Sequence, residues 1–251
     1  MFKYFFAREI KNKYLGSSSA LFWVLFQPVL ILLTYNFVFS YIFKARVPEV
    51  EEGNFITYLA VGLWPWMAFS EGLMRSVTAV TERKDLLGKV NFDFKVLVYA
   101  AVSGIFTLHV IGYVVVLLVL MAFGKLIPSW ELLLLLIPLI GLYILAMTTA
   151  LLVSAIHVFW RDIQPIMNTL ILLLFFSTPI IYSISAIPEK YHHILSINPL
   201  LSFFDFIHAA SFTYSQIEWS GIILWLVILP VCFVLTRLFF DRLSPEFDDY
   251  V

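Results

Sequence analysis

Charge is scarce in this chain. Asp, Glu, Lys and Arg make up 13% of its 251 residues, about half the share of a soluble domain. That excludes a large solvated domain, and a formal net charge of −1 gives no footprint for nucleic acid. Cysteine occurs once, at Cys232 in an apolar run, so an internal disulfide is excluded. A phosphate-cradling loop is also missing. It needs Gly, four residues, then Gly-Lys-Ser/Thr. The Gly-Lys pairs here are Gly88-Lys89 and Gly124-Lys125, with Arg83 and Val119 where the leading glycine would stand. Spaced metal ligands are lacking as well: His192 and His193 are adjacent, and Asp248-Asp249 falls in a short acidic tail after Pro245, expected to be a solvated end. The basic Met1–Lys13 segment lacks the apolar core and cleavage site of a signal peptide.

Apolar residues fill that space, at 61% of the chain with a mean hydropathy of +0.93. A helix crosses the hydrocarbon core of a bilayer with about 20 apolar residues. Six segments qualify, roughly 20–43, 54–80, 96–123, 131–157, 164–184 and 217–240. None alternates with the period of a barrel strand, and helices satisfy their own backbone groups in lipid. The sequence therefore predicts an all-α integral membrane protein, a single domain over 1–251 with six transmembrane helices, bent at Pro28, Pro65, Pro138 and Pro230. Basic residues orient it. With the N-terminus in the cytoplasm, twelve of the sixteen Lys and Arg fall inside; only Lys44, Arg46, Lys125 and Lys190 lie outside. Both termini are expected in the cytoplasm.

Three segments are predicted not to span. Residues 1–16 place Phe2, Phe6, Ile10 and Tyr14 four apart with Arg8, Lys11 and Asn12 opposite, a helix lying in the interface, although Glu9 and Lys13 blur its faces. Residues 81–95, TERKDLLGKVNFDFK, hold seven charges in fifteen positions beside a side made of Leu86, Leu87, Val90 and Phe94. Two or three cations would suffice to set topology. An apolar anchor with a charged rim suits docking on a soluble partner. Residues 185–216 are apolar yet broken by Pro188 and Pro199, as expected of two short re-entrant helices at the outer leaflet, where such backbone must be buried in protein or line a cavity.

Few ionisable groups lie within the spans. Glu71 has Arg75 at i+4, which reads as a local ion pair, and His109 reads as a hydrogen-bonded packing residue. Aromatics reach 18%. Most fit interfacial belts and packing; those beside proline and small residues, Tyr35, Phe39, Trp64, Trp66, Phe69 and Tyr182, are candidates for a pore wall on which sugar C–H faces could slide.

These residues resemble the ABC-2 family of export permeases, in its polysaccharide branch of O-antigen, teichoic-acid and capsule exporters. The entry region carries Arg8-Glu9, Tyr14, Ser17, Trp23 and Pro28, then Phe37-Val38-Phe39, with Ser19-Ala20 where Leu-Gly is common. A second block runs Arg161-Asp162, Thr178-Pro179, Ile187-Pro188 and Asn198-Pro199-Leu200. The resemblance covers nearly the whole chain. It implies a permease of the bacterial inner membrane that works as a homodimer, with the channel between two copies. Each copy would be docked on a separate nucleotide-binding ATPase subunit. The cargo would be a lipid-linked polysaccharide of O-antigen type, destined for lipopolysaccharide, moved from cytoplasm to periplasm. No cofactor would be bound by this chain; ATP and Mg would sit on the partner, and no bond of the cargo would be made or broken here.

Residues 81–95 would then be the coupling helix, touching the ATPase through Glu82, Arg83, Lys84, Asp85, Leu86, Leu87 and Lys89, with Arg161 and Asp162 as a second contact. Arg8, Lys11 and Lys13 would flank the entrance, where cations can hold the phosphates of a lipid-linked substrate or simply meet anionic membrane lipids. The segment 185–216 would act as an external gate. Rivals remain: an ABC-2 exporter of teichoic acid, capsule or a lipophilic drug; an ion-coupled carrier, which would need clustered intramembrane carboxylates; and a membrane enzyme on polyprenyl phosphate, which would need an acidic metal cluster.

Overall fold

A computed structural model describes residues 1–14, 20–42, 55–86, 93–191, 195, 197–212 and 217–250. Every regular element among them is helical. They run α1 (Phe2–Tyr14), α2 (Ala20–Asn36), a π-helical extension (Phe37–Ile42), α3 (Phe55–Val77), α4 (Lys95–Ala122), α5 (Leu136–Phe159), α6 (Ile163–Ser177), α7 (Pro199–Ser211), α8 (Trp219–Leu243) and α9 (Phe247–Tyr250). Short 3-10 stretches cover Thr81–Leu86, Trp130–Leu135, Ile184–Ala186, Glu189–Tyr191 and Ser244–Glu246.

Three of these helical runs are long and apolar enough to cross a membrane: Lys95–Ala122, Trp130–Phe159 and Trp219–Glu246. At 1.5 Å rise per residue, each outreaches a hydrocarbon core of roughly 30 Å. The long α3 differs because polar residues interrupt it. It is buried along most of its length, with Leu59, Val61, Trp64 and Leu73 in the centre of the core, so protein surrounds it on most sides.

The fifth apolar segment departs from expectation. Instead of running to 184, its helix α6 stops at Ser177, and Thr178 turns extended (φ −111°, ψ 137°). The cause is Pro179, whose ring disfavours helical backbone in the preceding residue. Pro28, Pro65 and Pro230 lie inside helices as expected. Pro138 does not: it occupies the first turn of α5, where its missing N–H leaves nothing unpaired.

In the segment 185–216, the described residues include the α-helix α7 and the 3-10 turns Ile184–Ala186 and Glu189–Tyr191, and Leu195 is also helical. Asn198 starts α7: its Oδ1 accepts from Leu200 N at 3.0 Å with Pro199 at the first helical position, a standard start signal. Its Nδ2 donates to Thr178 Oγ1 at 3.2 Å, joining Asn198-Pro199 to Thr178-Pro179. The helix then packs into the bundle, with Phe203, Phe204 and Ile207 fully buried. His208 stacks on Tyr58 with ring centroids 3.8 Å apart, and a Cβ at Gly141 of α5 would overlap the Phe203 ring. His192 and His193 lie outside the described residues.

The opposite end of the bundle gathers α1, the end of α3, the start of α4 and the ends of α5 and α8. The C-terminal segment, expected to be a solvated tail, is instead folded onto it. Phe247 is completely buried against Phe94, Phe159 and Phe240, and Tyr250 stands edge-on to Phe159 at 4.7 Å. Three aromatic rings there outweigh the solvation of a short acidic stretch.

Candidate functional site

At this α1 end, charged side chains bind four helices together, α1, α3, α4 and α8. Helix α1 approaches α4 closely, since a Cβ on Gly104 would stand 3.0 Å from the Cβ of Glu9. Phe5 packs against the small apolar cluster of Ala79, Leu97 and Ala101. One turn on, Glu9 is buried, and a further turn brings Lys13. The stripe facing protein is therefore Phe5, Glu9 and Lys13, adjoining the Phe2, Phe6 and Ile10 side that the sequence marked as apolar.

The two charges of that stripe meet two charges of α3 in reverse order. Arg75 grips Glu9 with a two-pronged contact, Nε donating to Oε2 at 2.8 Å and Nη2 to Oε1 at 3.0 Å. Lys13 pairs with Glu71, which also bonds His109 Nε2 of α4 at 2.9 Å. The expected local pair of Glu71 with Arg75 is thus replaced. Each residue has a better partner across the helix interface, because packing α1 antiparallel on α3 superposes two i,i+4 pairs of opposite polarity. His109 is hydrogen-bonded, but as a link in this chain of charges.

Arg75 also reaches the connection that follows α3. Its Nη1 donates to Glu82 Oε1 at 3.0 Å, and Thr78 lies beside it. One guanidinium thus ties α1, the end of α3 and the first 3-10 turn of the 81–95 segment. Thr81 Oγ1 contacts His157 Nδ1 of α5 at 3.4 Å, which brings the second candidate connection near the first. There Arg161 and Asp162 are exposed, and Asp162 Oδ2 accepts from Trp160 Nε1 at 3.1 Å. A buried Lys95 completes the frame, paired with Asp241 of α8 and with Asp93 at 3.4 Å.

Of the docking candidates, Glu82 is exposed and Arg83 half-buried with an irregular backbone (φ −115°, ψ 30°). The backbone of Lys84, Asp85 and Leu86 continues the 3-10 stretch, while Leu87 and Lys89 lie outside the described residues. Arg8 is half-buried and Lys11 exposed on α1; Lys13 is the member of that trio engaged by a carboxylate.

The aromatic candidates divide by burial. Trp64 (1% exposed), Trp66 (6%) and Phe69 (2%) are closed inside the single chain and offer no wall to a neighbouring copy. In the single chain they pack the core. Tyr35, Phe39 and Tyr182 are half-buried and converge on α6. Tyr35 lies 5.7 Å from Phe175 and 6.2 Å from Phe39 by ring centroids, and Tyr182 OH donates to the Phe176 carbonyl at 2.7 Å.

Sequence reasoning passed over Glu9, Lys95 and Asp241. The available signal was that Glu9 and Lys13 spoil the amphipathic pattern of α1, and residues that break a lipid-facing pattern must answer to protein. Among the described residues, no group of three or more His, Cys, Asp or Glu could hold a metal ion.

The ABC-2 type transporter family matches residues 1–212. The chain is 34% identical over 199 residues to the O-antigen export system permease protein RfbA of Myxococcus xanthus, covering 78% of this chain and 74% of the relative. A Klebsiella pneumoniae protein of the same description is 28% identical over 237 residues, 89% and 87% of the two chains. The polysialic acid transport protein KpsM of Escherichia coli is 24% identical over 198 residues, 78% and 75%. With its long apolar helices, this multi-pass membrane protein belongs to the ABC-2 type transporter family.

Proposed function

We propose that the chain is the membrane subunit of an ATP-driven exporter that moves a lipid-linked polysaccharide of O-antigen type from cytoplasm to periplasm. The observation that carries this reading is the likeness to O-antigen export permeases along 78–89% of the chain. Six segments cross the bacterial inner membrane with both termini in the cytoplasm, α3 and α6 among them despite their interruptions, and α7 with its flanking turns forms the external gate. Two copies enclose the channel, each carrying one ATPase subunit that binds the nucleotide and Mg. Glu82, Arg83, Lys84, Asp85, Leu86, Leu87 and Lys89 meet that subunit, supported by Arg161 and Asp162.

Arg75 gives this docking a mechanical consequence. Movement of the 81–86 turn pulls Glu82, hence Arg75, hence Glu9 and the interface helix. Arg8 and Lys11 ride on that helix and receive the phosphate of the lipid carrier, while Lys13 secures the helix to Glu71. Tyr35, Phe39 and Tyr182 line the sugar path along α2 and α6. A capsule polymer is the second reading, favoured by the likeness to KpsM.

Charge reversal of Arg83 and Lys84 together tests the docking. The protein should insert normally and cease to co-purify with a co-expressed partner ATPase subunit. Undiminished co-purification would remove these residues from the contact.

A further inference from the structure

Between the start of α1 and helices α4, α5 and α8 lies a cavity of about 510 Å³, lined by Phe2, Tyr99, Ser103, Tyr143, Pro230 and Phe233 among others. Its size falls in the range of small-molecule sites, roughly 300–1,000 Å³. Two of the polar groups in its wall satisfy each other, Ser103 Oγ and Tyr143 OH standing 2.8 Å apart, so apart from the Tyr99 hydroxyl the wall is apolar. It is unrelated to the aromatic convergence on α6.

The mouth has a charged side. On α8 the lining residue Phe233 is followed one turn later by Arg237, and another turn later by Asp241, all on one helix face. Arg237 is exposed and makes no ion pair among the described residues. On α4, Lys95 stands one turn before the lining residue Tyr99 and pairs with Asp241, so Arg237 is the cation on this face of α8 left without a carboxylate partner among the described residues. Pro230 lies seven residues deeper than Arg237, about 10 Å along the helix, within one leaflet of a core roughly 30 Å thick. Beyond the rim the apolar surface continues over Val231, Val234, Leu235 and Leu238, each more than half exposed.

We propose that this cavity is a binding site for a glycerophospholipid of the surrounding bilayer, with an acyl chain between α4, α5 and α8 and the phosphate on Arg237. Dry apolar walls exclude sugar. An arginine one turn above them complements a phosphate, as basic pockets between transmembrane helices do for lipid head groups. The bilayer phospholipid, and not the polyprenyl carrier of a cargo, is the occupant because the lining residues Pro230 and Val234 are exposed on an apolar face of α8, where phospholipid is the solvent. Because Phe2 of α1 forms part of the wall, a bound lipid would brace the interface helix. Only the naming of the leaflet as cytoplasmic rests on the topology proposed above.

The test is photo-crosslinking of the full-length protein in phosphatidylethanolamine–phosphatidylglycerol nanodiscs containing diazirine-acyl phosphatidylglycerol, with labelled peptides mapped by mass spectrometry. Labels should fall on the peptides holding Tyr99, Tyr143 and Phe233. Val234→Trp fills the mouth from a half-exposed position and should cut labelling about tenfold, the loss expected when two methylenes are excluded. Val234→Phe should give a smaller loss at an unchanged size-exclusion profile, separating filling from misfolding. Arg237→Gln should cost about fivefold. Undiminished labelling in the Trp variant, or in the Gln variant, overturns the site. So does preferential labelling of these peptides by a diazirine-bearing polyprenyl phosphate in competition with the phospholipid.

Discussion

Glu9 and Arg75 form a pair in which neither side chain is more than a quarter exposed, at 11% and 24%, so the contact is closer to a buried ion pair than to a surface one. Removing one partner of such a pair strands the other, at a cost of about 3–5 kcal/mol when burial is complete. Glu82 still offers Arg75 a carboxylate, which places Glu9→Ala near the lower figure, about 3 kcal/mol. The unfolding midpoint of the detergent-solubilised protein should fall accordingly. The exchange Glu9→Arg with Arg75→Glu should recover part of the loss, whereas either single reversal should not. Recovery would be incomplete because Glu82 would then face a glutamate. These residues were visible in the sequence but wrongly paired. A spacing of i+4 identifies who can meet within one helix and says nothing of a second helix offering the complementary pair.

Two helices sit where they do because a side chain is missing opposite them. Gly104 lets α1 lie against α4, so Gly104→Leu should lift α1 and raise the protease sensitivity of the first fourteen residues while the rest stays resistant. Unaltered digestion would show that the charges alone hold α1 down. Gly141 admits the Phe203 ring, and Gly141→Ala should destabilise the α5–α7 contact by about 1–3 kcal/mol, the usual range for overpacking. At this scale much was legible. The start of α7 at Asn198-Pro199 and the end of α6 before Pro179 both follow local backbone rules, although the second was read too far along as one long span. The fold of α9 was not legible. Phe247 stands in a short acidic tail, and only the presence of Phe94, Phe159 and Phe240 nearby gives it a place to bury.

For the molecule as a whole, six apolar runs and a bias of basic residues conveyed the membrane class, and ordered short motifs conveyed the family. Burial could not be read from them: Trp64, Trp66 and Phe69 look like pore residues in a list of aromatics and are core residues in three dimensions. If Tyr35 and Phe39 line the sugar path, replacing both with Ala should lower polymer export several-fold, roughly 0.5 kcal/mol of stacking each, with ATPase assembly intact. The same change at Trp64 and Phe69 should lower export and assembly together through lost packing. Equal loss of both in the Tyr35 and Phe39 variant would assign those rings to packing as well.

The account makes the protein a conduit that carries no motor, worked through Glu82, Arg75 and Glu9 by a subunit that burns ATP elsewhere. ATP hydrolysis in proteoliposomes holding the purified chain alone addresses this most directly. No hydrolysis above empty vesicles is predicted, with activity arising only when the partner ATPase is added. Nucleotide turnover or polymer translocation by the chain unaided would contradict it.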